Sequence, residues 1–327
     1  MAQLSLTFAC GRYDRTEPLR TGDVKVEGID LNFIPIDEPR IIFDRLARGE
    51  FDLSELSASE FISMTGRGNC PFVALPVFPS RVFRHGFIFV NKRAGIRSPK
   101  DLEGKRVGVP LYTQTAAIWI RGLLAHEYAV NLEKIRWVQG AVEKAGSHGE
   151  PKVPPLLKPV QIEVNESGDS LGELLSKGEI DALLGSRRPE TLGRHPDVAR
   201  LFPDYRQLER EFYQRTRIFP IMHLAAIRRE AYEKNPWIAD SLYRAFVDAK
   251  NFALARMRFS GSQSYMLPWQ FADVDELDEI FGGNPWPYGV DANRPTLEAL
   301  VQYMVEQNFI AEPISVDMLF APVPDGS

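Results

Sequence analysis

The chain has 327 residues, 44% of them hydrophobic and 25% charged, with 39 Lys and Arg against 44 Asp and Glu for a formal net charge of −5. This is the balance of a soluble globular protein, with length for two lobes that each hold a core. With no long basic run to offset the acidic total, the composition speaks against a general nucleic-acid binder, and no stretch approaches the ~18 consecutive apolar residues of a membrane-spanning helix.

The first residues, MAQLSLTFACGRYDR, alternate like a strand. They show none of the basic stretch, apolar segment and small-residue cleavage site of a secretory signal, so a cytoplasmic location is expected. Cys10 and Cys70 are too few for a disulfide framework and match neither zinc nor redox spacing, so both are expected as free thiols. Strand periodicity holds over 4–10 and 29–36. Residues 39–50 place Ile42, Phe43 and Leu46 at helical spacing and end near Gly49, and FDLSEL follows as a strand. After GFIFVNK come a short helical turn, the strand RVGVP, a polar loop and an amphipathic helix. The strands IRWVQG, VQIEV and EIDALLGS continue the series. Repeated β-then-α units predict mainly parallel sheets flanked by helices.

LARGEFDLSEL (46–56) is echoed by LSKGEIDALLGS (175–186), once in each half, which predicts two lobes of similar build. The Gly-, Pro- and Lys-rich stretch 140–159 reads as a long loop of the kind that is often functional. Beyond it the pattern changes. A long helix is predicted over 235–259, opened by Asn-Pro, and another over 296–309 behind Pro295. They are expected to wrap around the first lobe.

FIFVNKRAG, SPKDLEGKRVGVP and the return strand MHLAAIRRE together resemble the type II periplasmic-binding-protein fold. The resemblance implies two α/β lobes joined by two crossing hinge strands, near 87–93 and 222–228, with ligand in the cleft between them. Lobe one would take 1–90 and 228–327, and lobe two 91–227. Six stretches are more particular: CGRYDRTEPLRTGDVKVEGIDL, LSELSASEFI, FPSRVFRHGFIFVN, GEIDALLGSRRP, FPIMH and WPYGVDANRPTLEAL. They resemble the 4,5-dihydroxyphthalate decarboxylase family, and the likeness runs over nearly the whole chain except 141–155. It implies a carboxy-lyase that converts 4,5-dihydroxyphthalate to 3,4-dihydroxybenzoate and CO2. The reading from another class is a solute-binding or sensor protein for a small aromatic carboxylate. A pyrimidine- or thiamin-precursor enzyme of the same fold is a third, but the His-rich motif that would suggest it is absent.

Loss of CO2 straight from a ring would leave an aryl anion of very high energy. A hydroxyl para to the departing carboxylate opens an easier path. Its deprotonation sends electron density to the ipso carbon, which a general acid protonates before CO2 leaves. The site therefore needs cations for the carboxylates, preferably arginine, with a proton donor at the ipso carbon and an acceptor at the phenol. No organic cofactor is required. A divalent metal on the catechol oxygens is compatible with the scheme, but no pair of histidines has metal-ligand spacing and no residue is assigned to a metal.

Arg81, Arg84 and His85 precede the FIFV strand, and His223 begins the other crossing. The arginines are expected to bind anions and the histidines to move protons, against the ordinary alternatives of surface charge and satisfied core histidine. Thr113 and Thr115 lead into a helix, as Ser57 does in lobe one, and capping alone would explain all three. Arg12, Tyr13, Arg15 and Arg187 follow strand ends and are further substrate contacts, and Tyr288 joins them through the family likeness alone. No nucleic-acid or membrane partner is expected, and the sequence leaves a homo-oligomer open.

Overall fold

The computed structural model describes residues 3–149 and 154–324, so that 150–153 of the Gly- and Pro-rich loop fall outside the described residues. The chain opens with β1 (Leu4–Cys10), α1 (Glu17–Thr21), β2 (Ile29–Pro35), α2 (Pro39–Ala47), β3 (Leu53–Ser57), α3 (Ala58–Gly66) and β4 (Phe72–Arg81). It continues with β5 (Ile88–Asn91), β6 (Arg106–Val109), α4 (Thr115–Tyr128), β7 (Arg136–Gln139), β8 (Ile162–Val164), α5 (Leu171–Lys177), β9 (Ala182–Leu184), β10 (Val198–Arg200) and α6 (Tyr205–Thr216). β11 (Ile221–Arg228), α7 (Arg229–Lys234), α8 (Ile238–Arg258), α9 (Gln270–Phe281) and α10 (Arg294–Glu306) complete it.

Two sheets result, ordered β2-β1-β3-β11-β4 and β10-β5-β9-β6-β7-β8. β1 runs parallel to β2 and β3, and β6 runs parallel to β7 and β9, as β-then-α units require. β11 lies antiparallel between β3 and β4, and β5 lies antiparallel to β9. These two strands are entered from the opposite lobe, so each runs against its parallel neighbours.

The expected lobe boundaries shift for the same reason. β5 already belongs to the second sheet and β11 already belongs to the first. The crossings are therefore the short segments 82–87 and 217–220, earlier than 91 and 228. An apolar run shows that a strand exists; its hydrogen-bonding partners decide which lobe owns it. β4, with Pro76 and Pro79, lacks a strand pattern in sequence. It forms as the last strand of its sheet, with register shifts against β11 on either side of His223, where missing N–H donors are tolerated.

The sequence echo is a shared turn. Gly49 and Gly178 each follow a helix with φ of 78° and 81°, the left-handed region that glycine enters without strain. Three residues later Asp52 accepts from the Thr7 N–H on β1, and Asp181 accepts from the Arg106 N–H on β6. Each aspartate thus pins its strand to the parallel neighbour.

α4 is not amphipathic. Its first ten residues are all buried. Ala116, Ile118 and Trp119 pack into the core of the first lobe, whereas Ala117, Ile120 and Leu124 pack into the second. Apart from Thr115 and Arg121 these ten residues are apolar or glycine, and a helix with apolar residues on every face is buried all round. As expected, the C-terminal segment wraps lobe one: the Trp286 indole donates to the Phe78 carbonyl at 2.8 Å, and the Gly289 N–H donates to Pro76 at 2.8 Å.

Candidate active site in the interlobe cleft

A cavity of about 250 Å³ lies between the lobes, and its walls include Tyr13, Arg40, Phe43, Ser57 and His223 from the first and Gln114, Thr115, His148 and Arg187 from the second. Arg84, on the first crossing, also faces it. That volume is small for a binding pocket and suits a compact ligand.

β3 and β11 set its floor. His223 pairs with Ser57 across the antiparallel ladder and Glu55 pairs with Ala225, so His223 and Glu55 are diagonal neighbours on one face. His223 Nδ1 lies 3.2 Å from Glu55 Oε2. Glu55 is fully buried and accepts from the Gly11 N–H and the Tyr13 hydroxyl, both at 3.0 Å. Burial, with Glu55 beside it, pushes the Tyr13 phenol far above its ordinary range, so it stays a donor. Phe43 meets the His223 ring edge to face at 5.0 Å. Held at Nδ1 by Glu55, His223 has Nε2 left for the cleft.

Arg84 is 5% exposed, and among the described residues nothing accepts from its Nε or Nη1. Burial pushes the guanidinium down to about 9, with Glu209 opposing the fall, so it stays charged near neutral pH. The other cations are already matched. Arg40 spans Asp44 and Glu60, and Arg187 pairs with Glu38 across the cleft. An unmatched, desolvated guanidinium is an anion receptor.

The lobes meet at two helix starts. Ser57 accepts from the Glu60 N–H at 3.5 Å and so caps α3. The Thr115 hydroxyl lies 3.0 Å from that of Ser57 and 2.9 Å from that of Ser59. Thr115 therefore joins the lobes rather than capping α4, whose capping position is Gln114. Thr113 does not line the cleft: its buried hydroxyl has no partner among the described residues, and its carbonyl accepts from Ser59 at 3.0 Å.

Five further expected contacts lie elsewhere. His85 is 3% exposed, packed between Phe202 and Phe212 at 5.8 and 5.4 Å, and borders a separate small cavity. Burial holds its pKa down to about 4. Next to Arg84 in sequence, it turns into lobe two because Arg84 and His85 open a tight 3₁₀ turn. Arg81 is consumed by the chain, donating to Asn293 at 2.6 Å and to the Phe219 and Pro287 carbonyls at 2.8 and 3.3 Å. Arg12 is exposed, 3.8 Å from Asp37. Arg15 sits between the Tyr13 and Trp286 rings and donates to the Pro79 carbonyl. Tyr288 is buried below the C-terminal segment.

Glu55, Arg40, Glu60 and His148 escaped the sequence reading. Glu55 alone carried a signal, a carboxylate in the middle of a short strand between Leu53 and Leu56. His148 comes from the Gly- and Pro-rich loop, 3.3 Å from Gln114, and burial with Arg187 nearby lowers its pKa. Both cysteines are free. Among the described residues no group of three or more His, Cys, Asp or Glu stands where it could hold a metal ion, and no helix is long and apolar enough to cross a membrane.

Two α/β lobes around such a cleft are the architecture of periplasmic binding proteins. The aliphatic-sulphonate-binding protein SsuA of Escherichia coli superposes with a TM-score of 0.55 at 12% identity, over 97% of each chain. The alkanesulfonate-binding protein SsuA of Xanthomonas axonopodis pv. citri, bound to MOPS, gives 0.51 at 10% identity over 99% of each chain. Residues 24–146 match the family described as NMT1/THI5 like. The 4,5-dihydroxyphthalate decarboxylase of Comamonas testosteroni is 36% identical over 307 residues, 91% of this chain and 90% of that one. A Pseudomonas putida protein of the same name is 36% identical over 215 residues, 65% of this chain and 83% of its own. The chain belongs to the 4,5-dihydroxyphthalate decarboxylase family.

Proposed function

We propose that this protein is a non-oxidative decarboxylase of a hydroxylated aromatic dicarboxylate, with 4,5-dihydroxyphthalate the foremost substrate and 3,4-dihydroxybenzoate and CO2 the products. The observation that carries the reading is the pairing, in one small cleft, of an unmatched buried guanidinium with a carboxylate-held imidazole, in a chain of this family.

Arg84 takes the carboxylate that stays on the ring, and so fixes the ring against Phe43 and His223. His148, held below the usual histidine range by burial, is a proton acceptor near neutral pH and serves the para phenol. As that proton leaves, charge moves to the ipso carbon. His223 Nε2 delivers a proton there, and Glu55 stabilises the imidazolium before delivery and orients the ring throughout. The C–C bond electrons then restore the aromatic ring and CO2 departs. Atoms and charge balance without an organic cofactor, and a chelator arm in the assay tests for metal assistance.

Incubation of the purified protein with 4,5-dihydroxyphthalate should release CO2, whereas phthalate, which lacks the para hydroxyl, should bind and remain intact. Tight binding of both without CO2 at any pH would replace the decarboxylase with a carboxylate-binding protein.

A further inference from the structure

A second cavity, of about 320 Å³, lies on the far side of the crossings and shares no lining residue with the cleft. Its walls are apolar: Phe83 and Phe219, one from each crossing and stacked at 4.5 Å, with Leu254, Met257 and Phe281. One ammonium breaks this surface. Lys250, from the middle of α8, is 2% exposed and lines the cavity. Its Nζ reaches the Asn284 side-chain oxygen at 3.3 Å and stands 5.7 Å from the Tyr288 ring. Among the described residues no carboxylate lies within ion-pair distance of it.

The other charges at the cavity cancel each other. Arg15 and Asp14 both line it, and they pair at 3.0 Å. Among the described residues that line the cavity, Lys250 is the cation left without a carboxylate. A buried ammonium usually has a carboxylate partner or gives up its proton, and burial does lower this one. Neutral Asn284 supplies one long hydrogen bond where an ammonium can make three.

We infer that this cavity is a second ligand site, separate from the cleft, for a small amphipathic monocarboxylate. The carboxylate would meet Lys250 Nζ, and a short apolar chain or single ring would lie against Phe83, Phe219 and Met257. The cavity is of the size that encloses a ligand of a few carbon atoms. The direct attraction between opposite charges is larger there than at the surface, and because Lys250 is already buried, binding adds only the cost of desolvating the carboxylate.

The probe is hexanoate, with hexylamine as its charge-reversed counterpart. In protein labelled with ¹³C at the methionine methyls, hexanoate should shift the Met257 resonance saturably and leave Met222, which faces the cleft, in place. Hexylamine should shift neither. Lys250→Leu should weaken hexanoate at least tenfold. Ala253→Leu keeps the ammonium but fills the cavity, and should abolish the shift as well. A Met257 resonance unmoved by millimolar hexanoate, or a response centred on Met222, overturns the assignment. So does undiminished affinity in a folded Lys250→Leu variant, and so does equal binding of hexylamine. None of these readouts depends on decarboxylation, so failure here and failure of the cleft reading are told apart.

Discussion

Arg81 and Arg84 are three residues apart, equally buried at 5% exposure, and both pushed by burial down to about 9. Their partners separate them. Arg81 clamps Phe219 and Asn293 to the end of β4, so both ends of its fork are spent on the fold and only Nε is left over. At Arg84, Nε and Nη1 both find no acceptor among the described residues. Arg84→Lys keeps the charge but loses the two-pronged fork, and a hydrogen bond to a charged group contributes about 1.5–3 kcal/mol. Phthalate affinity, followed by calorimetry, should fall by roughly 10–100-fold, and 3,4-dihydroxybenzoate should weaken with it, because the retained carboxylate is the one held. Unchanged product affinity would move Arg84 to the departing carboxylate. The histidines divide in the same way. His223→Gln should lower turnover by about 10²–10⁴-fold, the span of general acid–base catalysis. His85→Phe, which replaces a ring already packed between two phenylalanines, should leave turnover unchanged. A loss confined to His85→Phe would reverse the assignment.

At the scale of elements, α4 decides how the lobes are held. Its face toward α10 depends on Gly122, where an added Cβ would stand 2.1 Å from the Tyr303 ring. That ring cannot yield easily, because Trp119 meets it edge to face at 5.5 Å and His126 lies on it at 4.8 Å. Gly122→Ala raises helix propensity by up to about 1 kcal/mol, whereas overpacking costs roughly 1–3 kcal/mol. The steric cost wins, and thermal melting of the variant should shift downward. A melting temperature at or above that of the parent would show that α4 and α10 can separate cheaply. Next to this contact the Trp119 indole donates to the Ile221 carbonyl at 2.9 Å, and Arg121 donates to Gln307 at 2.7 Å. Both bonds tie a helix of lobe two to lobe one.

For the molecule as a whole, sharing α4 between two cores predicts that the lobes unfold together. Urea transitions followed by tryptophan fluorescence and by far-UV circular dichroism should coincide, and two separated transitions would contradict the shared helix. Acid stability depends on the buried group behind Arg84. His85 is held by burial at about 4 against an ordinary 6.5, so the folded state binds fewer protons between those values. Its contribution is complete above about pH 6.5 and is lost as the pH falls toward 4. Glu209, whose Oε1 is 3.9 Å from His85 Nδ1, is raised by burial to about 7 from 4.5 and acts in the opposite sense. Its contribution is complete below about pH 4.5 and is lost as the pH rises through 7. The two oppose each other between pH 4.5 and 6.5. His85→Phe removes only the first, so the variant should gain about 2 kcal/mol on the parent between pH 7 and pH 5. Equal changes in the urea midpoints of the two proteins would mean that His85 titrates normally.

Local pattern was enough for the α/β class, the two-lobed build, the wrapping C-terminal helices and the family. Each is written in short-range periodicity, in capping glycines such as Gly49 and Gly178, or in contiguous motifs. The same pattern also put Tyr13, Ser57, Arg84, Thr115, Arg187 and His223 among the candidates, and all six line the cleft. What it could not do was rank them. Arg81, Arg84 and His85 look alike along a strand approach, yet Arg81 ends β4 bound to Asn293 and Phe219, Arg84 lines the cleft, and a 3₁₀ turn carries His85 in between Phe202 and Phe212. Glu55 gained its place only when β11 came back antiparallel beside β3, and His148 only when a loop folded over from the other lobe. Residue type and local conformation are set by neighbours in the chain. Which charges remain without a partner is set by contacts between segments that can be far apart in the chain, as for Arg187 with Glu38 and Arg81 with Asn293, and only the tertiary structure decides those.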